Sequence, residues 1–144
     1  MSGILECEGV FQVPLSDGWS VTGTPGRAFD VSHATKDVGV IISVFPRQAV
    51  DADIESAVLK FAASLDVDTS ALRVVSPPAK DHQRAFIRFI ANGREWLAVF
   101  LFLGDAAVLA TSNTAPADTV AFEAGELVVA AIGPVPRRRW LGRK

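Results

Sequence analysis

Hydrophobic and polar residues alternate most regularly over residues 83–112, where three β-rich runs are separated by the dipeptides Asn92-Gly93 and Gly104-Asp105. Asn-Gly between alternating runs is the strongest short signal for a β-hairpin, because a type I′ turn needs positive φ at both central residues. The pattern therefore predicts an antiparallel three-stranded meander in which Phe89 lies opposite Trp96.

The alternation also assigns the side chains of this meander to two faces, since successive residues of a strand point to opposite sides of a sheet. We expect the first face to be the core face, with Ile87, Phe89, Trp96, Phe100, Phe102 and Leu109. The second face is amphipathic, and its candidate partner-binding residues are Arg84, Phe86, Arg88, Ile90, Leu97, Val99 and Leu101.

The middle run, residues 96–103, is apolar on both faces, so both faces should be covered. A helix of the same chain is one candidate cover for the second face. A groove or dimer face that binds another protein is the other, because contiguous exposed apolar area marks interaction sites. The two interpretations are compatible if a helix covers only part of the face.

Five shorter runs upstream have β character, and Val38–Phe45, apolar on both faces, is expected to be a central strand. The run at residues 10–13 should end at Pro14. Pro77-Pro78 should stop a further strand. The predicted strands outside the meander cover residues 10–13, 19–22, 27–33, 38–45 and 72–76.

Two segments have helical periodicity instead. The first begins after Asp51 or Asp53 as the N-cap and repeats apolar residues at Ile54, Val58, Phe61 and Leu65. The second covers about residues 117–132, ends at Gly133-Pro134, and repeats apolar residues at Val120, Ala124, Leu127 and Ala131. The order of strands, helix, strands and helix indicates an α+β fold with a mainly antiparallel sheet.

Length and composition indicate one globular domain, at 144 residues with 49% hydrophobic and 21% charged residues. We assign residues 1–133 to the domain and 134–144 to a basic tail that we expect to be disordered. The sequence has neither an 18-residue apolar run nor a secretory signal, so we expect a cytoplasmic protein. The lone Cys7 excludes an internal disulfide.

Charge divides the chain unevenly. The segment Arg137–Lys144, RRRWLGRK, carries five positive charges, which leaves 9 basic against 16 acidic residues, a net charge of −7, in the rest. Such a tail could contact nucleic acid or an anionic membrane, but the acidic body would repel phosphate, so both are weak alternatives.

Several motifs resemble one family. The N-terminal FQVPLSDGW, the strand GREWLAVFLF and the following ATSNTAPAD are similar to segments of the Mog1/PsbP/DcrB-like superfamily, over roughly Val10–Ile132. The resemblance implies an α/β/α sandwich around an antiparallel sheet. It also implies a non-enzymatic, protein-binding role, chaperone- or adaptor-like, with no catalytic residue to carry over, although similarity of fold does not decide function.

Three functions follow as hypotheses. The first is a protein-binding module that uses the second face of the meander and forms a homodimer through sheet faces or edges. The second is a small-molecule or lipid-binding protein with a pocket between sheet and helix. The third, an enzyme with His33 or His82 as base, is weak, because neither histidine has metal-ligand spacing or a nucleophile motif beside it. We therefore predict no enzyme, no metal and no cofactor.

Overall fold

The computed structural model describes residues 3–7, 9–24 and 28–135. A separate two-stranded ribbon is formed by β1 (Gly3–Cys7) and β2 (Phe11–Leu15). The remaining elements are β3 (Trp19–Thr24), β4 (Ala28–His33), β5 (Val38–Pro46), α1 (Ile54–Ser64), β6 (Gln83–Ala91), β7 (Arg94–Leu103), β8 (Ala106–Thr114) and α2 (Thr119–Ala130). Strands β3 to β8 form one antiparallel sheet in the order β3-β4-β5-β8-β7-β6.

The predicted register of the meander is confirmed at every pair. Phe89 lies opposite Trp96 and Phe100 opposite Leu109. Asn92 and Gly93 both have positive φ, at 55° and 72°, as a type I′ turn requires. The prediction that Val38–Phe45 is a central strand is also confirmed, because β5 lies between β4 and β8.

Three layers are present, with α1 on one face of the sheet and α2 with the β1–β2 ribbon on the other. The α1 face contains the predicted core side chains, among which Phe89 and Trp96 stack with their rings 6.2 Å apart. The α2 face contains a second cluster, to which the ribbon adds Phe11, in edge contact with Phe29 at 5.8 Å. The α+β class and the sandwich architecture are thus confirmed.

Helix α1 begins where its cap predicts. Asp53, not Asp51, is the N-cap, and its Oδ1 accepts a hydrogen bond from the Ser56 N–H at 2.7 Å. This hydrogen bond satisfies one of the N–H groups that the first turn of a helix leaves without partners. It also holds the pKa of Asp53 below its usual value.

Two predictions about strands are wrong, and one strand was not predicted. Strand β1 was not expected. Pro14 lies inside β2, and the strand tolerates it there because the missing N–H would point away from β1. The N–H and C=O of Gln12, two residues earlier and therefore on the same side of the strand, bond Gly133 rather than β1. Residues 72–76 form no strand, because only Val75 bridges Phe86 before Pro77-Pro78 removes further donors.

The predicted apolar stripe of α2 is also wrong in its direction. The helix buries Ala121, Phe122, Gly125, Val128 and Val129. Val120 and Leu127 remain 63% and 74% exposed. Nearly every position of this helix is apolar, so the sequence pattern does not decide which side meets the sheet.

Candidate functional site

The second face of the meander is covered by α2. Leu97, Val99 and Leu101 are each 3% exposed or less, and they pack in the core beneath the helix. The expectation that they form an exposed contact surface is therefore corrected. The helix reaches them because Gly125 has no side chain to hold it away from the sheet.

Four of the predicted residues lie on β6, at the margin of α2. We call Arg84, Phe86, Arg88 and Ile90 the β6 rim. Ile90 is 68% exposed and Phe86 is half-buried. The predicted site is thus divided into a buried half on β7 and an accessible half on β6.

The backbone of the β6 rim faces an open edge of the sheet. Strand β6 is the last strand of its sheet among the described residues. Phe86 directs its N–H and C=O away from β7, to Val75, at 2.8 and 3.0 Å. Alternate residues of a strand direct these groups to the same side, so the N–H and C=O of Arg88 and Ile90 also face outward, where no described strand lies.

Arg88 brings charge to this rim. Its guanidinium forms an ion pair with Glu126 of α2 and lies over the Phe122 ring, 4.8 Å from its centroid. Beside the pair, a cleft of about 520 Å³ separates β6 from the segment that precedes it, with walls that include Leu72 and Val75. The rim therefore offers an apolar side chain, a pair of opposite charges and a concave surface.

Arg84 has a different environment from its neighbours. It donates to the carbonyl oxygens of Ala130 at 3.0 Å and Ile132 at 2.6 Å, at the C-terminal end of α2. Its Nε and Nη2 also lie 3.3 and 3.1 Å from His82 Nε2. Burial lowers the pKa of Arg84. Its donors are used within the chain, where they satisfy helix carbonyls that lack a partner.

A pocket lies between α1 and the sheet, as the second hypothesis expects. Its volume is about 330 Å³. Lys60 and Asp51 line it among mostly apolar side chains, including Phe45, Val50, Ala57, Phe61, Phe100 and Leu109.

The outer side of α2 is a further exposed apolar surface, which the sequence reasoning assigned to the core. Leu127 and Ile4 of β1 lie at a groove of about 660 Å³, whose walls also include Pro14, Trp19 and His33. Ile4 is 67% exposed. The sequence did contain a signal for this surface, because the helical spacing of its apolar residues was recognised. Only the side of α2 that they were expected to occupy was wrong, since they face away from the sheet.

Both histidines take part in local interactions. The Nδ1 of His33 accepts hydrogen bonds from the N–H groups of Thr35 and Lys36 at 3.1 and 3.3 Å. The Nδ1 of His82 lies 2.9 Å from a carboxylate oxygen of Asp81. Over the described ranges no three His, Cys, Asp or Glu residues are grouped as a metal site would require. Neither α1 nor α2, the helices of that same part of the chain, is long and apolar enough to cross a bilayer.

Known structures provide the comparison for this fold, since no family model and no curated protein matches the sequence. The solution structure of cyanobacterial PsbP (CyanoP) from Synechocystis sp. PCC 6803 is 9% identical, with a TM-score of 0.69, over 93% of this chain and 92% of that one.

Two crystal structures also match. A protein from Bacteroides thetaiotaomicron VPI-5482 is 12% identical, with a TM-score of 0.55, over 92% of this chain and 48% of that longer one. LpqN of Mycobacterium tuberculosis, which is involved in cell envelope biogenesis, is 11% identical, with a TM-score of 0.47, over 94% of this chain and 91% of its own. The match to CyanoP shows that the chain shares the fold of PsbP, which is the fold that the resemblance of its motifs implies.

Proposed function

We propose that this protein is a non-enzymatic, adaptor-like module that binds an extended segment of a protein partner at the β6 rim. The observation that carries the proposal is the open backbone of Arg88 and Ile90 at the end of the sheet. An extended peptide adds to such an edge as another strand, and its affinity comes from main-chain hydrogen bonds.

The side chains of the rim supply specificity. Ile90, at 68% exposure, gives an apolar anchor. The Arg88–Glu126 pair offers one charge of each sign to a partner. The cleft beside Val75 accepts a side chain that projects from the added strand. These features favour a partner strand with alternating apolar and charged residues.

The Ile90→Pro variant tests the proposal. The Ile90 N–H faces away from β7, so proline removes an outward donor and leaves the β6–β7 ladder in place. The matched control is Ile41→Lys, because Ile41 is an exposed isoleucine on β5, away from the rim. We expect wild type and Ile41→Lys to capture a partner protein in a pull-down and Ile90→Pro to fail to capture it. The melting temperatures of the three proteins should be the same. Equal capture by Ile90→Pro would contradict the proposal.

The pocket between α1 and the sheet favours a second candidate function, the binding of a small molecule. Its volume is within the usual range for ligand pockets, and its walls are mainly apolar. Ala49→Phe would fill it from the exposed side. A ligand that raises the melting temperature of wild type and Ile90→Pro, but not of Ala49→Phe, would support this candidate.

Two further expectations from the sequence stay predictions. A cytoplasmic location is one of them. The role of the basic tail is the other, since residues 136–144 lie outside the residues that the structure describes.

A further inference from the structure

The segment that precedes β6 runs along the open edge of the sheet and begins to pair with it. Val75 and Phe86 lie opposite each other in antiparallel direction and exchange two backbone hydrogen bonds, of 3.0 and 2.8 Å. Beside this pair, the Ser76 hydroxyl donates to the Arg84 carbonyl at 3.1 Å. We call residues 72–76 the strap, because they cover the first part of the β6 edge and leave the rest open.

The strap already has the side-chain alternation of a strand. Leu72 and Val74 pack against the core cluster on the α1 face of the sheet. Arg73 and Val75 alternate with them and line the cleft beside β6. A strand that extends the sheet directs its side chains to the two faces in this way. The strap can therefore lengthen its pairing with β6 while its apolar residues stay in the core.

The next hydrogen-bonded pair of this ladder would join Arg73 to Arg88. In an antiparallel ladder the hydrogen-bonded pairs recur at every second residue, so this pair follows directly from the existing one. Among the described residues, none bonds the outward N–H and C=O of Arg88. The pair after it would join Ala71 to Ile90, but Ala71 belongs to a 3₁₀ turn. The strap can thus cover Arg88 and cannot cover Ile90.

Like charges oppose the Arg73–Arg88 pair. The two arginines would lie directly opposite each other on one face of the sheet, an arrangement that destabilises strand pairing. Glu126 already pairs with Arg88, and Arg73 has no ion pair among the described residues. The pairing would therefore bring an unmatched positive charge against Arg88.

We propose that the strap closes over Arg88 by forming the Arg73–Arg88 pair, and that repulsion between the two guanidinium groups holds it open. Charged residues beside an exposed edge are one means by which proteins prevent unwanted strand pairing. In this chain they prevent the pairing of the strap with its own sheet. The consequence for binding, which rests on the proposed function, is that the open strap leaves the backbone of Arg88 free for a partner strand.

The first test measures hydrogen exchange of single backbone amides and needs no partner. In wild type the Phe86 amide should be protected by its bond to Val75, whereas the Arg88 and Ile90 amides should exchange fast. In Arg73→Glu, attraction replaces repulsion, so exchange at Arg88 should slow about fivefold or more relative to Ile90. Ile90 is the internal reference, because the strap does not reach it. Arg73→Gln removes the repulsion without adding attraction and should slow exchange less.

A matched control separates the strap from a general effect of charge. Lys60→Glu makes the same change in net charge at an exposed position of α1, on the other face of the sheet, and should leave exchange at Arg88 as in wild type. Equal exchange at Arg88 in Arg73→Glu and wild type would overturn the proposal. A wild type in which Arg88 is already as protected as Phe86 would overturn it too.

The second test uses salt to weaken the repulsion. The distance over which exposed charges act falls from about 10 Å at 0.1 M salt to about 3 Å at 1 M. Raising the concentration of sodium chloride over this range should slow exchange at Arg88, relative to Ile90, in wild type. The ratio should change less in Arg73→Gln, which has no such repulsion to screen. The same change in both proteins would exclude the Arg73–Arg88 repulsion as the cause.

The strap and the proposed function fail separately. If the strap regulates binding, Arg73→Glu should capture less partner in a pull-down than wild type and Lys60→Glu. Slow exchange at Arg88 with undiminished capture would contradict the use of this edge by the partner and leave the strap in place. Unchanged exchange at Arg88, together with loss of capture in Ile90→Pro, would contradict the strap alone.

Discussion

Gly125 of α2 lies directly over Ser112 of β8, so that backbone meets side chain with no space between them. A β-carbon on Gly125 would overlap Ser112 Oγ and would lie 2.9 Å from Cγ2 of Val38. Glycine in a helix interior costs about 1 kcal/mol relative to alanine. In return it allows the close approach by which α2 covers the meander.

The first prediction therefore concerns Gly125→Ala. Although alanine favours helix, we expect the variant to lose about 1–3 kcal/mol of unfolding free energy, because the helix must move away from Ser112 and Val38. Denaturant unfolding measures the loss. The control is Ala130→Gly, at an exposed position near the end of α2, which should cost about 1 kcal/mol or less. A stabilised Gly125→Ala would show that the contact has room to spare.

The second prediction concerns Ser112 itself. Its Oγ is buried and has no hydrogen-bond partner among the described residues, so the hydroxyl loses its contact with water without compensation. We expect Ser112→Ala to be neutral or to stabilise the fold by up to about 1 kcal/mol. Combined with Gly125→Ala it should recover part of that variant's loss, because the two residues touch. Strictly additive effects in this double-mutant cycle would argue against the contact.

The third prediction concerns Arg84, which joins β6 to the end of α2. Arg84→Ala removes hydrogen bonds to the Ala130 and Ile132 carbonyls and should cost about 1–3 kcal/mol. Arg84→Lys keeps the charge but cannot reproduce the two-pronged geometry, so it should recover only part of the loss. Hydrogen exchange should quicken at the last turn of α2 in Arg84→Ala. Unchanged exchange there would mean that the helix end does not need this anchor.

The fourth prediction is a dependence on pH. Arg94 donates to both carboxylate oxygens of Asp37, at 2.9 and 3.2 Å, and this hydrogen bond and charge hold the pKa of Asp37 below its usual value. A carboxyl group whose pKa is lower in the folded state stabilises the fold above its unfolded pKa, about 4, and loses that contribution as the pH falls through the folded value.

Asp37→Asn should accordingly be less stable than wild type at neutral pH, and the difference in melting temperature should narrow below about pH 4. Asp105→Asn serves as the control, because the Asp105 side chain has no ion pair among the described residues. If the difference in melting temperature between Asp37→Asn and wild type stays constant as the pH falls below about 4, the Asp37–Arg94 pair is not its cause.

The register of the meander could be predicted from sequence because it depends on local chemistry. Asn92-Gly93 fixes one turn, and the alternation of apolar residues then fixes each facing pair along β6 and β7. The N-cap of α1 was predictable for the same reason, since Asp53 acts on the first turn of its own helix.

The direction of α2 could not be predicted in the same way. Val120 and Leu127 are as apolar as Val128 and Val129, so the periodicity fits either side of the helix. What decides between them is a contact with Ser112 and Val38, which are distant in sequence. The same contact places α2 over Leu97, Val99 and Leu101. Because the sequence does not reveal this contact, we expected these three residues of the candidate site to lie on the surface.

The bridge between Gln12 and Gly133 has a consequence for how the protein is made. Two backbone hydrogen bonds, of 2.9 and 3.1 Å, join the ribbon to the segment after α2. These positions are roughly 120 residues apart, so at about 5–20 residues per second the ribosome delivers Gly133 some 6–24 s after Gln12. Throughout that delay Phe11, Val13 and Leu15 lack the α2 layer against which they pack in the finished fold, so the ribbon completes its packing only after α2 has been made.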